Sequence, residues 1–156
     1  MRPEYRVGIL ALGAAERGIS VVGFDLHPKM LGQTLKKAKK AHKKNGKTLD
    51  ALRLCQGDAT ILPFRDGAFD VVMSGFMLVH LSKEQRQTAV REMRRVLKEN
   101  GRLALLESPG ELTKRYDTRE QWEEVLREVE LVEPVFDDIY DVYRVIFARK
   151  PASNGH

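Results

Sequence analysis

Short apolar runs alternate with helical stretches along this chain, and each run stops on or beside an acid or a glycine. The runs are "ISVVGFD" (19–25), "ALRLCQGD" (51–58), "AFDVVMSGF" (68–76) and "RLALLES" (102–108). Strands separated by helices cannot pair as hairpins. They form a mostly parallel sheet whose right-handed crossovers place helices on its faces. The pattern therefore predicts an α/β, three-layer sandwich.

Local signals place the helices. "ILALGAAER" (9–17) is rich in alanine and leucine and is followed by Gly18, a left-handed helix stop. Pro28 sits where the first turn of a second helix begins, and in 29–47 Leu31, Leu35, Ala38 and His42 recur at helical spacing with lysines mainly on the other face. Ser82 with Gln85, and Thr118 with Gln121, are capping-box pairs. The first opens a helix whose stripe is Ala89, Val90, Met93, Val96 and Leu97, with its stop expected at Asn100-Gly101. The apolar centres of 51–58 and 68–76 read as sheet interior. Two extended runs within 133–150 form an antiparallel end to the sheet, and 151–156 is expected to be a disordered tail. One domain, 1–150, accounts for the whole pattern.

Composition narrows the setting. The chain has 156 residues, 42% of them hydrophobic, which suffices for one core. No apolar run reaches the roughly 18 residues of a membrane span, and the charged-then-apolar pattern of a secretory signal is missing. A cytoplasmic location is expected. The single cysteine, Cys55, can form no internal disulfide and builds no zinc site alone, so no metal is expected. The net charge of +5 comes largely from the lysine helix, which reads as a solvated face or as a nucleic-acid contact.

In open parallel sheets ligands bind beyond the carboxyl ends of the strands. The residues there are Asp25, Gly57-Asp58, Ser74-Gly75-Phe76 and Glu107. An acid after a strand of this kind can accept hydrogen bonds from both hydroxyls of a ribose, the role that suits Asp25. Asp58 can accept from an exocyclic amine such as that of adenine, with Leu26, Met30 and Ala59 offering contacts to the ring.

"VVGFDLHPKML", "GDATILPFRDGAFDVVMSGFMLVHL" and "EMRRVLKENGRLAL" together resemble the successive motifs of class I methyltransferases of the small-molecule type, which use S-adenosylmethionine. The resemblance runs from Gly8 to about Lys150. It implies a Rossmann-like fold with an antiparallel last strand, Asp25 on the ribose, Asp58 at the adenine, and Ser74, Gly75 and Phe76 lining the methionine end. It places His80 at the pocket opening as a general-base candidate, and Glu107 where it can orient an acceptor amine or hydroxyl. Gly8 matches the last glycine of the family's glycine-rich turn. The strand and earlier glycines that precede it there have no counterpart in Met1 to Val7. The first strand is therefore expected to be missing or abbreviated, with residues 3–7 as a short replacement.

The function implied is methyl transfer from S-adenosylmethionine to a small-molecule acceptor. A noncatalytic methyltransferase-like binding module, dimerising through sheet edges left unpaired, competes with it. RNA methylation through the lysine helix is a third reading. It lacks the Asn-Pro-aromatic type of signature, since Ser74-Gly75-Phe76 stands there instead.

Overall fold

Gly18 ends the first helix where the sequence places its stop: α1 spans Ile9–Glu16, and Gly18 takes a left-handed φ of +77°. The computed structural model describes residues 8–108, 117–140 and 142–153, so the expected replacement strand at 3–7 lies outside the described residues. The chain divides into two compact units, Met1–Ala59 and Thr60–His156.

In the first unit α1 is followed by β1 (Val21–Asp25), α2 (Pro28–Asn45), a short α3 (Thr48–Ala51) and β2 (Leu52–Gln56). β1 and β2 pair in parallel from Val21↔Leu52 to Asp25↔Gln56, as a crossover through a helix requires. Ala15, Ala38 and Leu52 form the buried centre, with Ala11, Leu12, Val21 and Leu54 around it. Small residues let the layers approach closely. A Cβ on Gly23 of β1 would lie 2.8 Å from Leu54 Cδ2 and 3.3 Å from Ala11 Cβ.

Pro28 occupies the first turn of α2, and Gly46 at φ +68° ends it. His42, read from sequence as part of the apolar stripe, also accepts the Leu49 N–H on Nδ1 at 3.2 Å, so it ties α2 to the turn that follows. Asn45 Oδ1 accepts from the N–H of Lys47 and Thr48 and from the Thr48 hydroxyl, a turn that nucleates α3, which the sequence reading passed over.

The second unit holds β3 (Phe69–Gly75), a 3-10 turn (Leu78–His80), α4 (Lys83–Val96), β4 (Leu97–Glu107), α5 (Arg119–Glu128), β5 (Val132–Ile139) and β6 (Tyr143–Arg149). The strand order is β3-β4-β6-β5. β3 and β4 are parallel; β4 with β6 and β5 with β6 are antiparallel, the ending the sequence predicts. Both capping boxes form, at Ser82/Gln85 and Thr118/Gln121. One face of the sheet is buried through Leu103, Leu105, Ile146 and Ala148, and α4 and α5 pack against this sheet.

Two expectations are corrected. α4 stops at Val96, not at Asn100-Gly101. Leu97 is fully buried and leaves the helix in extended conformation, pairing with Phe69. The Lys150 ammonium holds the Leu97 carbonyl at 2.7 Å, and Asn100, at φ +60°, bends the incoming strand. The second correction concerns 51–58 and 68–76 as sheet interior: among the described residues β2 pairs only with β1. Among the described residues β3 pairs on one side only, and Val71 and Met73 are 50% and 44% exposed. In register with Met73 lie Ala104, Phe147 and Val135, an apolar row across all four strands on the face opposite the buried one.

Gly8 caps α1 at φ +64°, and a Cβ there would sit 2.2 Å from the Thr34 hydroxyl of α2. Gly8→Ala is expected to destabilise the fold by about 2–4 kcal/mol in urea unfolding, from the left-handed backbone and the collision together. Adding Thr34→Ala should relieve the contacts with the Thr34 hydroxyl and methyl and leave the backbone part, together with a Cβ contact of 2.9 Å. Full recovery would show that backbone strain contributes nothing.

Candidate functional site

The carboxyl ends of β1 and β2 lie side by side. Gly57 N–H donates to the Asp25 carbonyl at 3.1 Å, and the Gln56 side-chain amide donates to the Leu26 carbonyl at 3.1 Å. Asp25 Oδ1 accepts the His27 N–H at 2.8 Å, which orients the carboxylate at the entrance to α2. Among the described residues Oδ2 takes no hydrogen bond, so one oxygen remains for a ligand. Leu26 is 55% exposed beside it, and Met30 is half-buried in the first turn of α2. Asp58 is exposed and Ala59 half-buried just beyond β2. An oriented carboxylate, neighbouring apolar side chains, a glycine and a second acid form an acceptor and contact set that suits an adenosine group.

Gly8 sits differently. The space its side chain would take is filled by Thr34, so its missing Cβ serves the packing of α1 on α2. Only its backbone is available to a ligand.

In the second unit Ser74, Gly75 and Phe76 close β3. Ser74 is buried, and among the described residues its hydroxyl has no hydrogen-bond partner. Phe76 holds φ +54°, rare for a residue with a side chain, while its N–H donates to the Leu106 carbonyl at 2.8 Å and its ring meets Tyr143 edge-on at 5.6 Å. His80 ends the 3-10 turn with its side chain exposed.

Glu107, the last residue of β4, is 3% exposed, and among the described residues its Oε1 has no hydrogen-bond partner. Burial pushes its carboxyl up to about 8; the Arg86 guanidinium and a backbone hydrogen bond from Leu78 pull the other way, and Asp117 adds to the rise. Arg86 of α4 is itself buried, and each of its three nitrogens donates a hydrogen bond. It donates to the carbonyls of Leu78 and Leu81 at 3.2 and 3.3 Å, pairs with Asp117, and lies 6.0 Å from the Trp122 ring. These side chains, with Val79 and Ser108, enclose a small recess. Sequence reasoning singled out Glu107 but missed Arg86, Asp117 and Trp122. A signal was present: Arg86 precedes Ala89, Val90 and Met93 at helical spacing, a charge on an apolar stripe.

A second arginine holds the loop before β3. Arg95 donates to the carbonyls of Leu62 and Phe64 and to the carboxylates of Glu92 and Asp66, all at 2.7–2.9 Å. Hydrogen bonding from Arg95 in turn holds Glu92 below the usual carboxylate range.

Residues 6–105 match the methyltransferase domain family. The chain belongs to that family. A demethylmenaquinone methyltransferase of Thermus thermophilus is 39% identical over 104 residues, which are 65% of this chain and 43% of that protein. The methyltransferase chain thus spans less than half the length of that relative. Among solved structures, a SAM-dependent methyltransferase of Methanosarcina mazei superposes with a TM-score of 0.77 at 18% identity, covering 94% of this chain and 89% of the other. Magnesium protoporphyrin IX methyltransferase of Synechocystis, solved with bound SAM, gives 0.71 at 19% identity over 92% and 65%. These likenesses place the methyltransferase chain in the Rossmann-like class I fold that its motifs predict.

The raised pKa of Glu107 has a consequence for stability. The folded chain keeps that proton up to about pH 8, whereas the unfolded chain releases it near the ordinary value of 4.5. Between these values the native state binds more protons, so stability is full below the lower one and falls as pH rises through the higher. Glu107→Gln removes this dependence. Its unfolding free energy relative to the unaltered chain is expected to improve by on the order of 3 kcal/mol between about pH 5 and about pH 9. A pH-independent difference in denaturant unfolding would contradict the burial argument.

Proposed function

We propose that this chain binds S-adenosylmethionine at the carboxyl ends of β1 and β2 and transfers its methyl group to a small-molecule acceptor in the cytoplasm. The observation that carries the reading is Asp25, one of whose carboxylate oxygens is fixed by the His27 N–H while the other is left for a ligand. A ribose hydroxyl donates to such an oxygen with little loss of side-chain freedom, because the acid is already oriented. Leu26 and Met30 supply apolar contact to the base and Asp58 an acceptor for its amine. Gly57 and Ala59 let the ligand approach the backbone closely. Gly8 offers its N–H, and the family resemblance alone assigns Ser74, Gly75 and Phe76 to the methionine part. When bound, the cofactor supplies a methyl group made electrophilic by its positively charged sulfur. The protein's task is then to hold the acceptor in line and keep water out. His80, exposed at the end of the 3-10 turn, is the candidate base by the same resemblance.

The name of the Thermus thermophilus relative makes a demethylmenaquinone the first acceptor to assay. A second reading is supported by the exposed apolar row through Met73, Phe147 and Val135, which suits a binding or dimerisation module. The lysines on the outer side of α2 give less support to RNA, since a solvated face explains them equally well.

Calorimetric titration with S-adenosylhomocysteine tests the first reading. Binding is expected for the unaltered chain, to be weakened more than tenfold in Asp25→Ala and less in Asp25→Asn, which keeps the oxygen that receives the His27 N–H. Equal affinity in all three would remove Asp25 from the site. The second reading predicts a dimer in sedimentation equilibrium that Met73→Lys disperses. A monomer at every concentration would end it.

A further inference from the structure

α2 carries seven lysines and no acid, and its inner side is committed: Thr34 and Ala38 are buried, and the helix packs on α1, β1 and β2. At 3.6 residues per turn the seven lysines fall within an arc of roughly 160°, centred opposite Thr34 and Ala38. All seven are exposed. From Lys29 to Lys44 the row runs for about 22 Å at 1.5 Å per residue. Residues 8–59, the described part of this unit, hold ten lysines and arginines against four acids. The acids stand elsewhere: Glu16 in α1, Asp25 in β1, Asp50 in α3 and Asp58 beyond β2.

Exposure alone would be met by a face of mixed sign. A face of one sign carries a cost, because like charges three or four residues apart on a helix repel. Six lysine pairs in α2 stand at those spacings, with Lys40 in four of them. Lys43 and Lys44 lie in the last turn, where the helix dipole favours a cation, but the other five lie outside it. Lys29, Lys36, Lys39, Lys40, Lys43 and Lys44 form no ion pair with a described residue. An array of negative charge laid along the helix relieves all six repulsions at once and leaves the inner side as it is.

Phosphate groups supply such an array on nucleic acids and on lipid headgroups. Single-stranded nucleic acids are held by stacking on aromatic rings, and base edges are read by arginine forks. α2 has no arginine, and Phe24, half-buried in β1, is the only Phe, Tyr or Trp in residues 8–59. Lysine is a compact point charge on a flexible stem, so it asks no fixed geometry of its partner. That suits the diffuse charge of a lipid surface, which clusters of about four to eight basic residues on an amphipathic helix recognise.

We propose that the lysine face of α2 docks the chain on an anionic phospholipid surface, with the helix lying along the headgroups. The contact is electrostatic and peripheral. The apolar side of α2 is already used inside the unit, and among the described residues no helix is long and apolar enough to cross a membrane. The methyl-transfer reading is not required for it.

Co-sedimentation of the full chain with vesicles at about 0.15 M salt, without cofactor, tests the surface. Binding is expected to vesicles of equal parts phosphatidylglycerol and phosphatidylcholine and not to phosphatidylcholine alone, with release at about 1 M salt, where surface charges are screened. Lys36→Gln, Lys40→Gln and Lys43→Gln together should weaken binding on the order of 100-fold, from roughly a factor of five per lysine. The control is Lys83→Gln, Arg91→Gln and Arg127→Gln, which removes the same charge from exposed positions of α4 and α5 and should leave most of the binding. Equal loss in both variants would place the effect in net charge and overturn the proposal. Two results on the unaltered chain, which hold even if a variant fails to fold, would do the same: no preference for the anionic vesicles, or transfer from them to a random-sequence RNA at equal phosphate concentration, which would assign the face to nucleic acid.

Discussion

β4 is paired along both edges, with β3 in parallel and with β6 antiparallel, and this double pairing decides what its side chains must do. Side chains of a strand alternate between faces, so once Leu103 and Leu105 face the helices, Glu107 must face them as well. A slip of one residue would expose the leucines, which is why the register is firmly set. The acid therefore enters the interior because of where two leucines belong. Holding its proton to about pH 8 is how the fold tolerates it, since an ionised carboxylate in that position costs far more than a neutral one.

The two strand-end acids show how place in the sheet, more than residue type, sets chemistry. Asp25 ends a strand paired on one side among the described residues, and the chain turns at once through His27 into Pro28 and α2. Its carboxylate meets a backbone N–H and solvent. Glu107 ends a strand flanked on both sides and covered by helices, and it meets an enclosed recess. One is arranged to accept hydrogen bonds from a ligand, the other to keep or release a proton.

Much of this was legible in the sequence where a residue acts through its neighbours along the chain. Gly18, Pro28, the Ser82/Gln85 and Thr118/Gln121 pairs and the Val71-Val72 run mark helix stops, starts and a strand by local chemistry alone. The end of α4 was not legible, because Leu97 fits the helix stripe as well as it fits the strand, and only the contact with Phe69 and the Lys150 ammonium decides. Whether β3 lies inside a sheet or at its edge is likewise a property of what pairs with it, which an apolar run cannot state. The position of Asp25 at a strand end could be read directly. The surroundings of Glu107 could not, since Arg86 is brought to it from one stretch and Asp117 and Trp122 from another.

Arg86 explains why Glu107 remains a titrating group and does not become half of an ion pair. A guanidinium has five N–H donors in a fixed plane. Arg86 directs them to Leu78 and Leu81, whose carbonyls belong to the 3-10 turn and its cap, and to Asp117 ahead of α5. Turning the plane to satisfy Glu107 would orphan those carbonyls, each a buried acceptor whose desolvation costs about 1–3 kcal/mol when unmade. The turn thus fixes the arginine, and the arginine acts on Glu107 only through space. Burial outweighs that attraction, so the proton stays on the carboxyl until the pH approaches 8.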